Sequence, residues 1–238
     1  VILLIDAGNT RIKWQLQAAA SGRIDAEGAV AHEDIAALSH LGQAAASPLR
    51  VVGSNVAGAV TAARISTALG VEHIEWLRPG AQACGVRNLY ADPGQLGADR
   101  WAALIGARDL HPGACLVVMA GTATTVDLLS AAGEFLGGLI LPGVELMQQS
   151  LAAGTAQLPL ATGRFTPQPR NTVDAIRSGC LQAQAGAIER MFRQVAGQPD
   201  ALCLLGGGAA DAFADLLGIP LRRFENLVLH GLAVAAAH

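Results

Sequence analysis

Val1-Ile-Leu-Leu-Ile-Asp6-Ala-Gly8-Asn9-Thr10-Arg11-Ile12-Lys13-Trp-Gln-Leu16 opens the chain. Val1 to Ile5 is a short apolar run rich in β-branched side chains, which suits a buried central strand. Asp6 stands at its end, where a carboxylate can reach the mouth of a site. Gly8 and Asn9 tolerate the positive φ of a tight hairpin turn. Ile12, Trp14 and Leu16 then alternate with Lys13 and Gln15, the period of a half-buried strand. A Gly-Asn-Thr turn offers N–H groups, a carboxamide and a hydroxyl at close quarters, as phosphate binding needs. Lys13 adds positive charge, and Asp6 could hold a hydrated divalent cation. An ordinary hairpin with purely structural turn chemistry reads equally well from this stretch alone.

The whole chain narrows the choice. It has 238 residues, long enough for one large domain or two small ones with a real core. Apolar residues make up 52% and charged residues 15%, with a net charge of −3, which argues against nucleic acid as the main partner. Cys84, Cys115, Cys180 and Cys203 are scattered with no close pair, so neither a zinc site nor a disulfide framework is indicated. The apolar start is interrupted by Asp6, Asn9 and Arg11, so it is too short to span a membrane. It also lacks a basic leader. A cytoplasmic protein with buried free thiols and no membrane partner is the expectation.

Further along, Gly22 to Val30 supplies a third strand and Glu33 to Leu41 a short helix. Leu49 to Val52 is a parallel-strand candidate that ends in Gly53-Ser54-Asn55, followed by a helix over Ala59 to Leu69 and a strand over His73 to Leu77. Arg78 to Gly97 is polar and punctuated by Gly and Pro, the character of a functional loop. Ala98 to Leu110 reads as a helix. Near residue 113 the pattern restarts: an apolar strand from Cys115, a polar turn Ala-Gly121-Thr-Ala-Thr-Thr125, and strands at Val126 to Leu129 and Phe135 to Leu141. Helices at Val144 to Ala153 and Asn171 to Val195 follow, then a strand at Leu202 to Leu205 and the run Gly206 to Gly208. A helix at Ala209 to Leu217, a short strand at Leu221 to Phe224 and a final helix from Asn226 complete the chain. The pattern predicts a duplicated α/β fold with domains at 1–112 and 113–238 and the two polar turns facing a nucleotide cleft.

Four stretches carry the chemistry: Asp6 to Lys13; Tyr90-Ala-Asp-Pro-Gly-Gln-Leu-Gly97-Ala98-Asp99-Arg100-Trp101; Gly121-Thr122-Ala-Thr-Thr-Val-Asp127 with Gly137 to Gly143; and Asn171-Thr172-Val-Asp-Ala-Ile-Arg-Ser-Gly179. In this order and spacing they resemble the type III pantothenate kinases, members of the acetate and sugar kinase/Hsp70/actin superfamily. The resemblance implies an RNase H-like (actin-like ATPase) fold in duplicate. It also implies ATP-dependent phosphorylation of pantothenate, the first step of coenzyme A biosynthesis.

By the same resemblance Asp6, Ala7, Gly8, Asn9, Thr10, Arg11, Ile12 and Lys13 form the ATP phosphate loop, joined by Gly121 and Thr122. Asp6 would sit near Mg²⁺, while Lys13 either flanks the phosphates or is an exposed strand lysine. Tyr90, Gly97, Ala98, Asp99, Arg100 and Thr172 match substrate contacts, and Asp99 matches the catalytic base. A primary hydroxyl does not ionise at neutral pH, so a carboxylate within reach must take its proton as the phosphoryl group arrives. An aspartate at a helix start can also serve as a cap, but the surrounding motif favours the base. Arg100 pairs either with the substrate carboxylate or within the protein. Thr172 is either a substrate contact or a helix N-terminal hydroxyl, and Asp127 either serves the metal or is a structural acceptor. The glycines 206 to 208 resemble an adenosine-side turn. The resemblance also implies a homodimer.

One position departs from the family pattern. An aspartate that helps bind an activating K⁺ or NH₄⁺ usually stands two residues before Gly-Thr-Ala, and here Met119 occupies it. A thioether is a poor K⁺ ligand, so monovalent cation activation is not expected. A same-fold kinase for another hydroxylated molecule, and a non-catalytic regulatory relative akin to accessory transcription factors, are the alternatives.

Overall fold

A computed structural model describes residues 1–19, 21–44, 49–160 and 162–238. The chain divides into two units, one built from Val1–Leu110 with Asn226–His238 and the other from His111–Glu225.

In the first unit, β1 (Ile2–Ala7), β2 (Arg11–Gln17) and β3 (Ile24–Ala31) form an antiparallel meander. A 3₁₀ turn at Ile35–Leu38 runs into α1 (Ser39–Ala44). Then come β4 (Arg50–Asn55), α2 (Ala59–Leu69) and β5 (Glu75–Trp76). β4 lies parallel to β1 and β5 parallel to β4, which gives the order β3-β2-β1-β4-β5. β1 is central because it is apolar on both faces, with Leu3, Leu4, Ile5 and Ala7 fully buried. Leu3, Ile5 and Ala7 share a core with Ile12 and Trp14 of β2 and with Ile35, Leu38 and Ile65 from the helical layer. α2 turns Thr61, Ile65 and Leu69 inward at helical spacing and stops at Gly70, whose φ of +66° ends it in the left-handed region.

The segment that reads as a loop carries a small hairpin, β6 (Gln82–Ala83) and β7 (Val86–Asn88). Its turn residues Cys84 and Gly85 have φ of +46° and +75°, the pair of positive values a two-residue hairpin turn uses. A 3₁₀ turn at Pro93–Gln95 and α3 (Ala98–Leu110) follow.

The second unit repeats this plan. β8 (Cys115–Ala120), β9 (Ala123–Leu129) and β10 (Glu134–Pro142) are antiparallel. After α4 (Val144–Gly154) and α5 (Thr172–Phe192), β11 (Leu202–Gly206) pairs parallel to β8 and β12 (Leu221–Arg223) parallel to β11. The order β10-β9-β8-β11-β12 matches the first sheet strand for strand, in direction as well as in position. Leu116, Val118 and Val126 pack with Ile176, Leu181 and Ile188 of α5 and with Phe213.

The structure departs from the sequence pattern at three places. Thr124 and Thr125 belong to β9, so the second polar turn is reduced to Gly121 and Thr122. Residues 209–217 form two 3₁₀ turns, Ala210–Ala212 and Ala214–Leu216, because Phe213 leaves helical geometry at φ −141° to bury its ring. The last helix, α6 (Leu227–Ala236), belongs to the first unit, so the expected second domain loses residues 226–238. α6 packs on α3 so closely that a Cβ on Gly231 would stand 1.8 Å from the Ala102 carbonyl oxygen. Only a glycine permits that approach.

Candidate functional site

The first half of the site grows from the end of β1. Register places Asp6 beside Lys13 on one neighbouring strand and Ser54 on the other. The fully buried Ser54 donates its hydroxyl to Asp6 Oδ1 at 2.7 Å. Burial pushes the Asp6 carboxyl up to about 6, and the nearby Asp99 carboxylate adds to the rise; the Ser54 hydrogen bond and Lys13 oppose it. Lys13 is half-buried across from Asp6, and is not simply an exposed strand lysine. Asn9, Thr10 and Arg11 are exposed at the turn, which Gly8 N–H closes onto the Arg11 carbonyl at 3.2 Å. The Ala7 and Ile12 side chains lie in the core, so these residues can meet a ligand only through their backbone.

The acceptor stretch ends on α3. Asn88 braces it, accepting the Tyr90 N–H at 3.0 Å and donating to the Pro93 carbonyl at 3.2 Å. Arg100 is buried and donates from Nη1 to the Tyr90 hydroxyl at 3.1 Å, its guanidinium carbon 5.8 Å from the ring centre. It therefore ties Tyr90 to the helix. Asp99 stands in the first turn of α3, half-buried, and its Oδ1 accepts the Arg100 N–H at 2.8 Å. A Cβ on Gly97 would come within 2.6 Å of that oxygen, so the glycine makes room for the carboxylate.

In the second unit, Gly121 N–H meets the Ala123 carbonyl at 3.0 Å, and Gly143 N–H meets the Thr122 carbonyl at 2.7 Å. Gly143 lies so tight on the turn that a Cβ there would stand 2.1 Å from the Gly121 carbonyl oxygen. Gly121 and Thr122 are exposed, whereas Thr124 and Asp127 are buried in β9. Buried Oγ1 atoms of Thr124 and Thr125 have no hydrogen-bond partner among the described residues. Met119 lies level with Thr125 on β9 and Gly206 on β11.

At the start of α5, Asn171 is the N-cap. Its Oδ1 accepts the Asp174 N–H at 2.9 Å and its Nδ2 donates to Asp174 Oδ2 at 2.7 Å. Thr172 is exposed as the first residue of α5, so its hydroxyl does stand at a helix N-terminus, while the cap itself is Asn171.

Among the described residues no three His, Cys, Asp or Glu side chains cluster as a metal site. Mg²⁺ in a kinase needs less, taking one or two carboxylates and filling its shell from water and phosphate. Asp6 and Asp99, whose carboxylates act on one another, suit that donor set.

A family model described as type III pantothenate kinase matches residues 2–194. The chain belongs to the type III pantothenate kinase family. A curated relative of that description from Aromatoleum aromaticum is 60% identical, covering 99% of this chain and 98% of its own. Among solved structures, a Baf family transcriptional activator from Campylobacter jejuni aligns with a TM-score of 0.64 at 20% identity, over 97% of this chain and 94% of that one. A 2-dehydro-3-deoxygalactonokinase from Sinorhizobium meliloti aligns with a TM-score of 0.57 at 15% identity, over 99% and 98%. These structures share the duplicated actin-like ATPase and sugar kinase fold.

Within this pantothenate kinase framework the first unit brings Asp6, Lys13 and Asp99 together, along with Ser54, which the sequence motifs do not single out. Strand pairing could have found it, since Ser54 ends the strand that runs parallel to β1. His32 is the other addition: its Nε2 lies 2.8 Å from the Gly8 carbonyl oxygen in the phosphate-loop turn.

Proposed function

We propose that this chain transfers the γ-phosphoryl group of ATP to the primary hydroxyl of pantothenate, giving 4′-phosphopantothenate and ADP, the opening step of coenzyme A synthesis. The observation that carries this is the family match over residues 2–194, within which Asp99 stands in the first turn of α3.

Asp99 is the base. Its Oδ1 is held by the Arg100 N–H, and Oδ2 has no partner among the described residues. The carboxylate takes the hydroxyl proton as the substrate oxygen forms its bond to the γ-phosphorus, and the bond to the ADP oxygen breaks. The turn at Gly8 to Thr10 contacts phosphates through backbone N–H groups and hydroxyls, and the family resemblance gives Gly121 and Thr122 a phosphate-binding role of their own. Asp6 would hold a hydrated Mg²⁺, which would supply positive charge to offset that of the phosphates. Tyr90 and Arg100 place the acceptor, with Arg100 acting through Tyr90, and Thr172 is a substrate contact by the family resemblance alone. Rate enhancement then comes mainly from positioning and preorganised charge.

A second copy of the chain is the proposed partner, as the family resemblance implies, and light scattering on the purified protein checks it. Among the described residues no helix is long and apolar enough to cross a membrane. The function itself is tested by incubating the chain with Mg·ATP and pantothenate and identifying the product by mass. A phosphorylated pantothenate supports the assignment, and phosphorylation of a different hydroxylated acid in its place overturns it.

A further inference from the structure

His32 follows the last residue of β3 and reaches back to the phosphate-loop turn, where its ring Nε2 sits 2.8 Å from the Gly8 carbonyl oxygen. A carbonyl oxygen only accepts, so Nε2 carries the proton and donates. The cross-strand pair Arg11 and Ala31 sets this approach, placing residue 32 beside the turn. Gly8 is therefore held on both sides: its N–H by the Arg11 carbonyl at 3.2 Å, and its C=O by His32.

The consequence lies one atom further along. The Gly8–Asn9 peptide is trans and planar, so its C=O and N–H point in opposite directions. Pinning the Gly8 carbonyl toward His32 aims the Asn9 N–H the other way. No residue among those described accepts a hydrogen bond from that N–H, and Asn9 is exposed. A fixed, outward N–H without a protein partner is what an anionic oxygen requires.

We infer that His32 is a positioning residue for nucleotide binding, acting through the Gly8 carbonyl to orient the Asn9 N–H toward a phosphate oxygen of ATP. The inference rests on the kinase reading of the turn at Gly8 to Thr10, and deepens it with a residue outside the motifs.

The test compares wild type with His32→Gln, His32→Met and His32→Ala. Glutamine keeps a donor at similar reach; methionine and alanine have none. Affinity for Mg·ADP is measured by calorimetry, alongside KM for ATP, KM for pantothenate and Tm. Either donor-less variant is expected to weaken nucleotide binding about tenfold, the scale of one well-placed hydrogen bond. KM for pantothenate and Tm should stay near wild type, and His32→Gln should recover most of the affinity. Unchanged nucleotide affinity in the folded donor-less variants, equal loss in His32→Gln, or parallel loss for both substrates with a fall in Tm would overturn it. If the wild type binds nucleotide but releases no ADP with pantothenate, the kinase reading fails while the affinities still decide the role of His32.

Discussion

Ser54 donates its buried hydroxyl to the Asp6 carboxylate at 2.7 Å, across two parallel strands in register. This one bond gives a recessed carboxylate a partner, and it does not offset the burial that lifts Asp6 to about 6. The sign of the linkage follows. Below the ordinary value of 3.8 the carboxyl is protonated both folded and unfolded. As pH rises toward 6 the unfolded chain ionises first, and the folded state loses stability relative to it. Above 6 the penalty is complete, at most about 3 kcal/mol. Asp6→Asn should therefore be more stable than wild type at pH 8 without nucleotide, with the gap closing toward pH 4, while phosphoryl transfer is lost. Urea unfolding of both proteins across that range measures it, and a variant less stable at pH 8 contradicts it.

A methyl group on Gly97 would stand only 2.6 Å from Asp99 Oδ1. In Gly97→Ala that methyl displaces the carboxylate from its hydrogen bond to the Arg100 N–H. Misplacing a reacting group by a fraction of an ångström is expected to lower kcat about tenfold or more. KM for ATP should change little, since the phosphate turns are untouched. Steady-state kinetics at saturating ATP reads this directly.

Asn171 satisfies the Asp174 N–H and ties the Asp174 side chain at the start of α5. Removing it in Asn171→Ala should cost about 1 kcal/mol of stability. The fall appears in the urea midpoint. An unchanged midpoint would mean that the cap is replaced by solvent at no cost.

These expectations draw on features of unequal legibility. The bounds of α2 and α3 can be read in the chain because helical spacing, a terminal Gly70 and a glycine before Ala98 all agree. The opening hairpin is legible as strand, turn and strand, but Gly8 and Asn9 close it without positive φ, and burial along β2 alternates only as far as Trp14, after which Gln15 and Gln17 are buried and Leu16 is half-buried. Thr124 and Thr125 mislead because hydroxyl residues after a glycine look like turn, yet β9 pairs on both sides and takes them in. The place of α6 is invisible to sequence order, since it depends on Gly231 meeting Ala102 far away in the chain. Ser54 and His32 escape for a related reason. Their roles come from strand neighbours, and hydrophobic periodicity assigns strands without assigning neighbours.

Met119 is half-buried, level with Thr125 and Gly206, and its sulfur would lie 3.2 Å from a Cβ at position 206. It offers no hard oxygen to K⁺. Turnover should change little when K⁺ or NH₄⁺ replaces Na⁺, and Met119→Asp should introduce a dependence. Strong, saturable K⁺ activation of the wild type would refute this.

The most direct measurement is ADP release, followed by a coupled assay with Mg·ATP, with and without pantothenate, for wild type and Asp99→Asn. The wild type should release ADP only when pantothenate is present. Asp99→Asn should bind nucleotide with normal affinity and lose turnover by about 10²- to 10⁴-fold, the range of general-base catalysis. ADP release that ignores pantothenate, or near-normal turnover in Asp99→Asn, would contradict the account.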